Sequence, residues 1–318
     1  MDEAFRALLK QLGSDSQGIT VHPHFQGLEF SEERFRRISS AKGSVAFVDG
    51  GSAELAEAPN FSLHRIRLAG VVLKNGKRLS RKEEFSVLVT AKDNSWIVQC
   101  FPDNRFSGVR FGWQELTLRE GNSHVKASKV CEAVRRMAEL DFLCRFSTSV
   151  SADLFVLDGS LETSFVGEES FMQALTEKPI VGLSKTSRLF TSDGQDVAGL
   201  LMTKRSESWL YHPLWESKGV FETALVKLHP KSKHVFRFDC WKGSDLEKYV
   251  GLLAEQSNDP VFLGYPYGLI VVDQLARISN EEREFLVMKC KTEAGKSWSL
   301  IEKSVRSLDA HSILDAIR

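Results

Sequence analysis

Hydrophobic positions along the chain switch repeatedly between two periods. Near the start, Phe5, Leu8, Leu9 and Leu12 recur every three to four residues and Gly13 follows, which predicts an amphipathic helix over 3–12. Ser31 followed by Glu32 and Glu33 predicts a second short helix running through Ile38. Four extended runs come next, at 44–49, 63–74, 83–91 and 96–101, with "KNGK" at 74–77 supplying the Asn-Gly turn of a hairpin. From Ser123 to about Phe146 the pattern turns helical, carried by Val130, Val134, Met137 and Leu140. A strand at 153–158, a short helix at 168–177, a buried strand at 179–185 and a strand pair at 224–229 and 234–239 follow. Helices are predicted over 244–257, 267–278, 281–290 and 307–317.

An antiparallel meander followed by strand–helix–strand crossovers predicts an α/β fold, a mixed sheet with helices on its faces and helical additions at both ends. No Pro- or Gly-rich linker and no fixed-period repeat interrupts the 318 residues. The expected division is therefore an N-terminal helical extension over 1–43 and one main domain over 44–318.

Composition narrows the class. A hydrophobic content of 42% is ample for a core, and 42 basic residues against 42 acidic ones give no global bias toward polyanions or lipid. The five cysteines form no C-x-x-C pair, so buried thiols in a reducing cytoplasm are expected in place of disulfides or a zinc ribbon. The opening "MDEAFRALLKQLG" is acidic and amphipathic, unlike a signal peptide, and no run approaches eighteen apolar residues; secretion and membrane spanning are not expected.

The chemistry gathers at two similar stretches. "SVAFVDGGSAEL" at 44–55 and "ADLFVLDGSLET" at 152–163 each drive an apolar strand into an acid followed by a glycine-serine corner. Asp, Gly and Ser are also the residues that turns prefer, so either copy alone is explained by turn chemistry. If the two strands are neighbours, Asp49 and Asp158 point into one cleft. Carboxylates about 4–6 Å apart repel unless a cation lies between them. Hard oxygen donors suit Mg²⁺ or Mn²⁺, and two such ions about 3.5–4 Å apart support phosphodiester cleavage. "VDGGS" is similar, too, to the phosphate-binding hairpin of actin-like ATPases, but residues 260–318 lack the Gly-Gly adenosine loop such enzymes need.

Three further stretches, "VRRMAELDFL" at 134–143, "IVGLSKTSRLF" at 180–190 and "GYPYGLIVVDQLARI" at 264–278, complete an ordered pattern. Together with the two Asp-Gly corners, the pattern over about 44–280 resembles the NurA family of DNA nucleases, which have an RNase H-like core and partner the HerA hexameric translocase. The resemblance implies a metal-dependent deoxyribonuclease of 5′–3′ exonuclease and single-strand endonuclease type. Such an enzyme uses Mn²⁺ or Mg²⁺ in a two-metal mechanism on single- and double-stranded DNA, in end resection and repair. It further implies a homodimer that docks on a HerA-like ATPase, with the N-terminal amphipathic helix as one candidate docking or dimer element. Carried over position by position, Asp49 and Asp158 match metal-binding aspartates, and Glu139 matches the helical glutamate, with Glu132 and Asp141 as alternatives on the same helix. Lys185 matches a strand-end lysine placed to steady the scissile phosphate, and Tyr265 matches a tyrosine that orients water or substrate. The family has a histidine eight residues after that tyrosine. Here the position is Asp273, a hard-metal ligand with a negative charge where imidazole would be neutral. A non-catalytic scaffold subunit that binds DNA or the translocase is the alternative, and an actin-like nucleotide hydrolase is a third reading.

Two other clusters are candidates. The cationic run at 74–84, with Arg65 and Arg67 upstream, reads as a solvated hairpin or as a track for a DNA backbone. "SESWLYHPLWES" at 206–217 reads as core packing, or as bases stacking on aromatic rings. His229, His234 and His311 lack metal-ligand spacing and read as structural.

Overall fold

The computed structural model describes residues 2–12, 19–21, 26–74, 76–102, 104–185, 189–216 and 220–306. Thirteen strands and eight α-helices occur among them. In chain order they are α1 (Glu3–Leu12), β1 (Thr20–Val21), β2 (Phe35–Arg37), β3 (Val45–Ala58), β4 (Phe61–Lys74), β5 (Lys77–Lys92), β6 (Ser95–Phe101) and β7 (Arg110–Gly112). There follow α2 (Ala127–Ser149), β8 (Leu154–Asp158), α3 (Glu169–Leu175), β9 (Ile180–Ser184), β10 (Phe190–Thr191), α4 (Val197–Lys204) and β11 (Trp209–Tyr211). The chain continues with β12 (Phe221–Lys227), β13 (Phe236–Trp241), α5 (Leu246–Glu255), α6 (Tyr267–Ala276), α7 (Asn280–Ala294) and α8 (Trp298–Arg306). The helix expected at 307–317 lies outside the described residues.

Eleven strands form one sheet in the order β2-β11-β12-β13-β9-β8-β3-β4-β5-β6-β7. Only β3–β8 and β8–β9 are parallel; every other neighbouring pair is antiparallel. The meander β3-β4-β5 beside two parallel strands is the mixed sheet of the RNase H-like expectation. The helix α2 returns the chain from the meander to β8, as a parallel neighbour requires. Lys74 pairs with Lys77 at the β4–β5 hairpin and Gly76 has φ +72°, which fits the expected tight turn; Asn75 lies outside the described residues.

The alternation of β3 explains how helices cover both faces. Ala46 and Val48 join Ile66, Leu68 and Phe85 against Val134, Leu140, Phe142 and Phe146 of α2. Val45 and Phe47 point the other way, with Ala69, Val71, Leu154 and Val156, against α5 and α6. Burying a Phe or Leu side chain in such a layer contributes roughly 1.5–3 kcal/mol, so the two faces hold β3 in register. A third cluster covers the far edge, where Trp209, Tyr211 and Trp215 are buried with Leu201 and Leu225. The aromatic run at 206–217 is therefore packing, with Phe30 stacked on Tyr211 at 6.0 Å.

Two sequence expectations are corrected here. The segment from Ser31 to Ile38 is no helix. Ser31 caps a single 3₁₀ turn, Glu32–Arg34, and the chain then extends into β2, antiparallel to β11. Phe35 explains the change, since its ring reaches Trp209 and Tyr211 at 5.4 and 4.9 Å only from an extended edge strand. Nor is Asp49-Gly50-Gly51-Ser52 a corner. The strand β3 runs straight through it for nine residues past Asp49, to Ala58. Cys100, Cys131 and Cys240 are buried, as expected of structural thiols. No described helix is long and apolar enough to cross a membrane.

Candidate metal centre and active-site cleft

Asp49 lies where β3 passes the C-terminal end of β8. The parallel register pairs Val48 with Leu157 and brings Asp158, the last residue of β8, beside Asp49 on the α6 face of the sheet. The helix α6 crosses that face. Gly268 lies against Phe47 and Gly51 against the Ala276 carbonyl, so closely that a Cβ on either glycine would meet them at about 2 Å. Asp273, between these contacts, is thereby delivered to the two strand acids. One carboxylate oxygen from each of Asp49, Asp158 and Asp273 lies within 4.8 Å of the other two. They line a cleft of about 560 Å³, together with Gly50, Gly51, Ser52, Arg135, Lys185, Ala276, Arg277 and Ile278.

Lys185 follows β9 directly and enters this cluster. Its Nζ donates to Asp158 Oδ2 at 2.6 Å and lies 3.7 Å from Asp273 Oδ1. Burial pulls the ammonium down, but the bond to Asp158 outweighs it and the group is held above its ordinary value. One lysine does not balance the acids. Burial first, then the carboxylates of Asp158 and Glu139, push Asp49 up to about 7, although the Gly50 N–H donates to its Oδ1 at 2.8 Å and Lys185 is near. Burial raises Asp158 as well, against the pull of Lys185. Tyr265 sits one residue before the Pro266 cap of α6, not on the helix itself, with its ring centroid 6.0 Å from Lys185 Nζ. Burial raises its phenol, and Lys185 opposes that.

Glu139 is placed differently from the three aspartates. It reaches the site from α2, on the opposite face of the sheet, and its side chain is only 3% exposed. Gly50 is the window between the two faces, since a Cβ there would fall 2.5 Å from Glu139 Oε1. Arg135 bonds Glu139 and also donates to the Gly50 carbonyl at 2.8 Å. Arg136 lies 3.8 Å from Glu139 Oε2. Burial raises the Glu139 carboxyl, and the two arginines oppose it. The other helix acids face elsewhere: Glu132 pairs with Lys129, and Asp141 with Arg105 and Arg145.

Several supports were missed in the sequence. Asp239, fully buried on β13, accepts from Ser160 Oγ at 2.7 Å, Leu161 N at 3.2 Å, Thr223 Oγ1 at 2.6 Å and Arg237 Nε at 2.9 Å. It thus ties down the corner that follows Asp158, which also packs on β9 so tightly that a Cβ on Gly182 would lie 2.6 Å from the Gly159 carbonyl. Arg136 adds a bond to the Ser160 carbonyl at 2.6 Å. An acid inside the apolar strand "FRFDCW" was the available signal for Asp239, because such a group is tolerated only with a full set of partners. Arg65 and Arg67, by contrast, are engaged in ion pairs: both bond Glu84, and Arg67 also pairs with Glu282 of α7. They are structural, not part of an open DNA track.

The residues present fit a divalent cation. All three converging donors are hard carboxylate oxygens within 4.8 Å of one another, and burial, with the nearby Asp158 and Glu139 carboxylates, holds the Asp49 carboxyl up where a bound cation would favour its charged form.

No protein-family model and no curated protein matches the chain. Its fold is shared with solved structures of NurA. A crystal structure of NurA with manganese aligns at a TM-score of 0.52 and 8% identity, over 89% of this chain and 95% of that one. Another crystal structure of NurA aligns at 0.50 and 8%, over 82% and 90%. The catalytic domain of human endonuclease V aligns at 0.42 and 17%, over 90% and 99%. The NurA likeness establishes the fold that the sequence resemblance implied.

Proposed function

We propose that the chain is a divalent-metal-dependent nuclease that hydrolyses phosphodiester bonds in DNA. The observation that carries this reading is the convergence of Asp49, Asp158 and Asp273, from two strands and a helix, within 4.8 Å of one another around a single lysine. Asp49, Asp158 and Asp273 would hold Mn²⁺ or Mg²⁺, with Glu139 completing the acidic set from beneath Gly50. Such ions, when bound, lower the pKa of water and stabilise both the attacking and the leaving oxygen.

The chain's own groups supply the rest. Lys185, fully protonated at neutral pH, draws a phosphate oxygen toward the acids by charge-assisted hydrogen bonding. Tyr265, at the edge of Lys185, limits the directions from which substrate reaches the ammonium and offers its hydroxyl to substrate or water. Arg135 and Arg277 on the cleft wall give a polyanion two further points of attraction. Asp239 and Arg136 keep the Asp158 corner fixed while substrate is bound.

The finer reading follows the resemblance to NurA: a homodimer that cuts single strands internally and degrades from 5′ ends, coupled to a HerA-like ATPase in end resection and repair. The helix α1, whose Phe5, Leu8 and Leu9 are about half exposed, is a docking element of suitable character for the ATPase or the second subunit. The test is incubation of purified protein with labelled single- and double-stranded DNA in Mn²⁺, Mg²⁺ or EDTA, beside Asp49→Ala and Asp158→Ala. Metal-dependent cleavage abolished by both substitutions is expected. Cleavage that survives EDTA or Asp49→Ala would sink the metal mechanism. Binding of DNA without cleavage in any metal would favour the scaffold reading.

A further inference from the structure

Beyond Lys185, the same end of the sheet carries cations to which the site as described gives no task. They lie on the turn that joins β12 to β13. The register pairs Arg237 of β13 with Ser184 of β9, so the turn projects from the end of the sheet where Lys185 leaves β9. Ser232, only 4% exposed, organises it. Its N–H donates to the His229 carbonyl at 2.9 Å, its hydroxyl donates to the His234 carbonyl at 3.1 Å, and the His234 N–H donates back to that hydroxyl at 2.9 Å. The Lys231 N–H donates to His229 Nδ1 at 3.1 Å.

The turn is also locked against the approach to α6. Gly264, at φ +82°, passes so near that a Cβ there would fall 2.2 Å from Ser232 Oγ. One residue on, Tyr265 meets the His234 ring edge to face, with centroids 6.3 Å apart and planes at 90°. Tyr265 thus lies against both His234 and Lys185, the cation that bonds Asp158. The side chains of Lys231, Lys233 and His234 are exposed, and neither lysine forms an ion pair with another described residue. An ordered turn with two exposed lysines, without an ion pair among the described residues, therefore adjoins the aromatic ring that borders the acidic cleft.

That placement has an electrostatic reason. A polyanion approaching three aspartates is repelled until cations flank the cleft, and flanking cations act without competing for the acids. We propose that the turn at 229–234 clamps the backbone of a nucleic-acid strand: Lys231, Lys233 and His234 hold phosphates next to the bond presented to the aspartates. The clamp rests on the nuclease reading and adds the path of the strand, from the acids past Lys185 and Tyr265 to this turn.

The test uses the full chain and the double variant Lys231→Ala/Lys233→Ala. Binding of a labelled single-stranded oligonucleotide is followed by fluorescence anisotropy in EDTA across a salt series, and cleavage is followed in Mn²⁺. Losing two phosphate contacts flattens the slope of log affinity against log salt by about 1.4 and weakens binding about 20-fold near 0.1 M salt. The KM for cleavage rises with it while kcat stays unchanged. Hydrolysis of bis(p-nitrophenyl) phosphate, too small to reach the turn, is unaffected, as is binding by the control Lys289→Ala/Lys296→Ala, whose lysines are exposed on α7 and on the turn that follows it. A double variant that keeps wild-type affinity and slope, while the wild type binds and cuts, overturns the clamp alone. Wild-type protein that neither binds nor cuts the strand overturns the clamp and the nuclease reading together.

Discussion

Replacing Asp49 by asparagine removes a charge that the folded chain accommodates poorly and leaves the shape of the site intact, because asparagine still accepts from the Gly50 N–H. The Asp49 carboxyl moves from 3.8 to about 7 on folding, chiefly through burial and the nearness of Asp158 and Glu139. Between those two values the native state binds a proton that the unfolded chain has released, so stability falls as pH rises from 3.8 to 7 and is level above. About three pH units at roughly 1.4 kcal/mol each bound the loss at about 4 kcal/mol, and solvent relaxation reduces it toward half that value. In EDTA at pH 8, Asp49→Asn should therefore be more stable than wild type by roughly 2–4 kcal/mol, with the gain vanishing near pH 4. Urea unfolding at pH 4, 6 and 8 measures it. Metal should cancel or reverse this gap, since an ion held at about 1,000 times its Kd stabilises the wild type by about 4.1 kcal/mol and the variant hardly at all. Equal stability of the two proteins at pH 8 in EDTA, or parallel stability curves from pH 4 to 7, would refute the argument that Asp49 is a repelled, metal-seeking carboxylate.

Two further outcomes follow from the buried charges. Asp239→Ala leaves Arg237 only its bond to Glu162 and the Ser160, Leu161 and Thr223 donors without their acceptor, and should cost about 3–5 kcal/mol in urea unfolding, with Asp239→Asn costing clearly less because the hydroxyl and N–H donors keep an acceptor. Glu83 is held down to about 2 by its hydrogen bonds to Arg145, with Arg105 adding to them. Its contribution is thus complete above pH 4.5 and is lost as pH falls toward 2. Glu83→Gln should destabilise the fold by roughly 1–3 kcal/mol at pH 7 and match wild type near pH 2, so an undiminished difference in acid would contradict this assignment.

What could be read in the sequence was whatever period and residue type determine locally. Apolar runs with an acid at the end marked β3 and β8, and the intervening meander and helix made them parallel neighbours, so Asp49 and Asp158 could be paired before any coordinates. Asp273 was legible as a candidate ligand only by its place after Tyr265 in the ordered pattern. The helical period alone would have put both on one face, whereas Pro266 starts the helix after Tyr265. Ser31–Ile38 was misread because a capping pattern promises a helix, and the pull of the Trp209–Tyr211 surface on Phe35 is a tertiary effect. The Asp239 network was hidden for a similar reason: three of its four partners, Thr223, Ser160 and Leu161, lie 16 to 79 residues away.

The unbroken passage of β3 through Gly50 and Gly51 carries one more consequence. At these successive residues the sheet is reduced to bare peptide, with Glu139 pressed on one side and the last turn of α6 on the other. Two helices that a sheet ordinarily insulates from each other are here separated by the thickness of one backbone. A side chain at Gly50 would press on α2, which carries Glu139, and one at Gly51 on α6, which carries Asp273. The spacing of the acids on the two faces is therefore set by the bare backbone of the Gly-Gly pair, which no larger residue could replace without pushing one of these helices away.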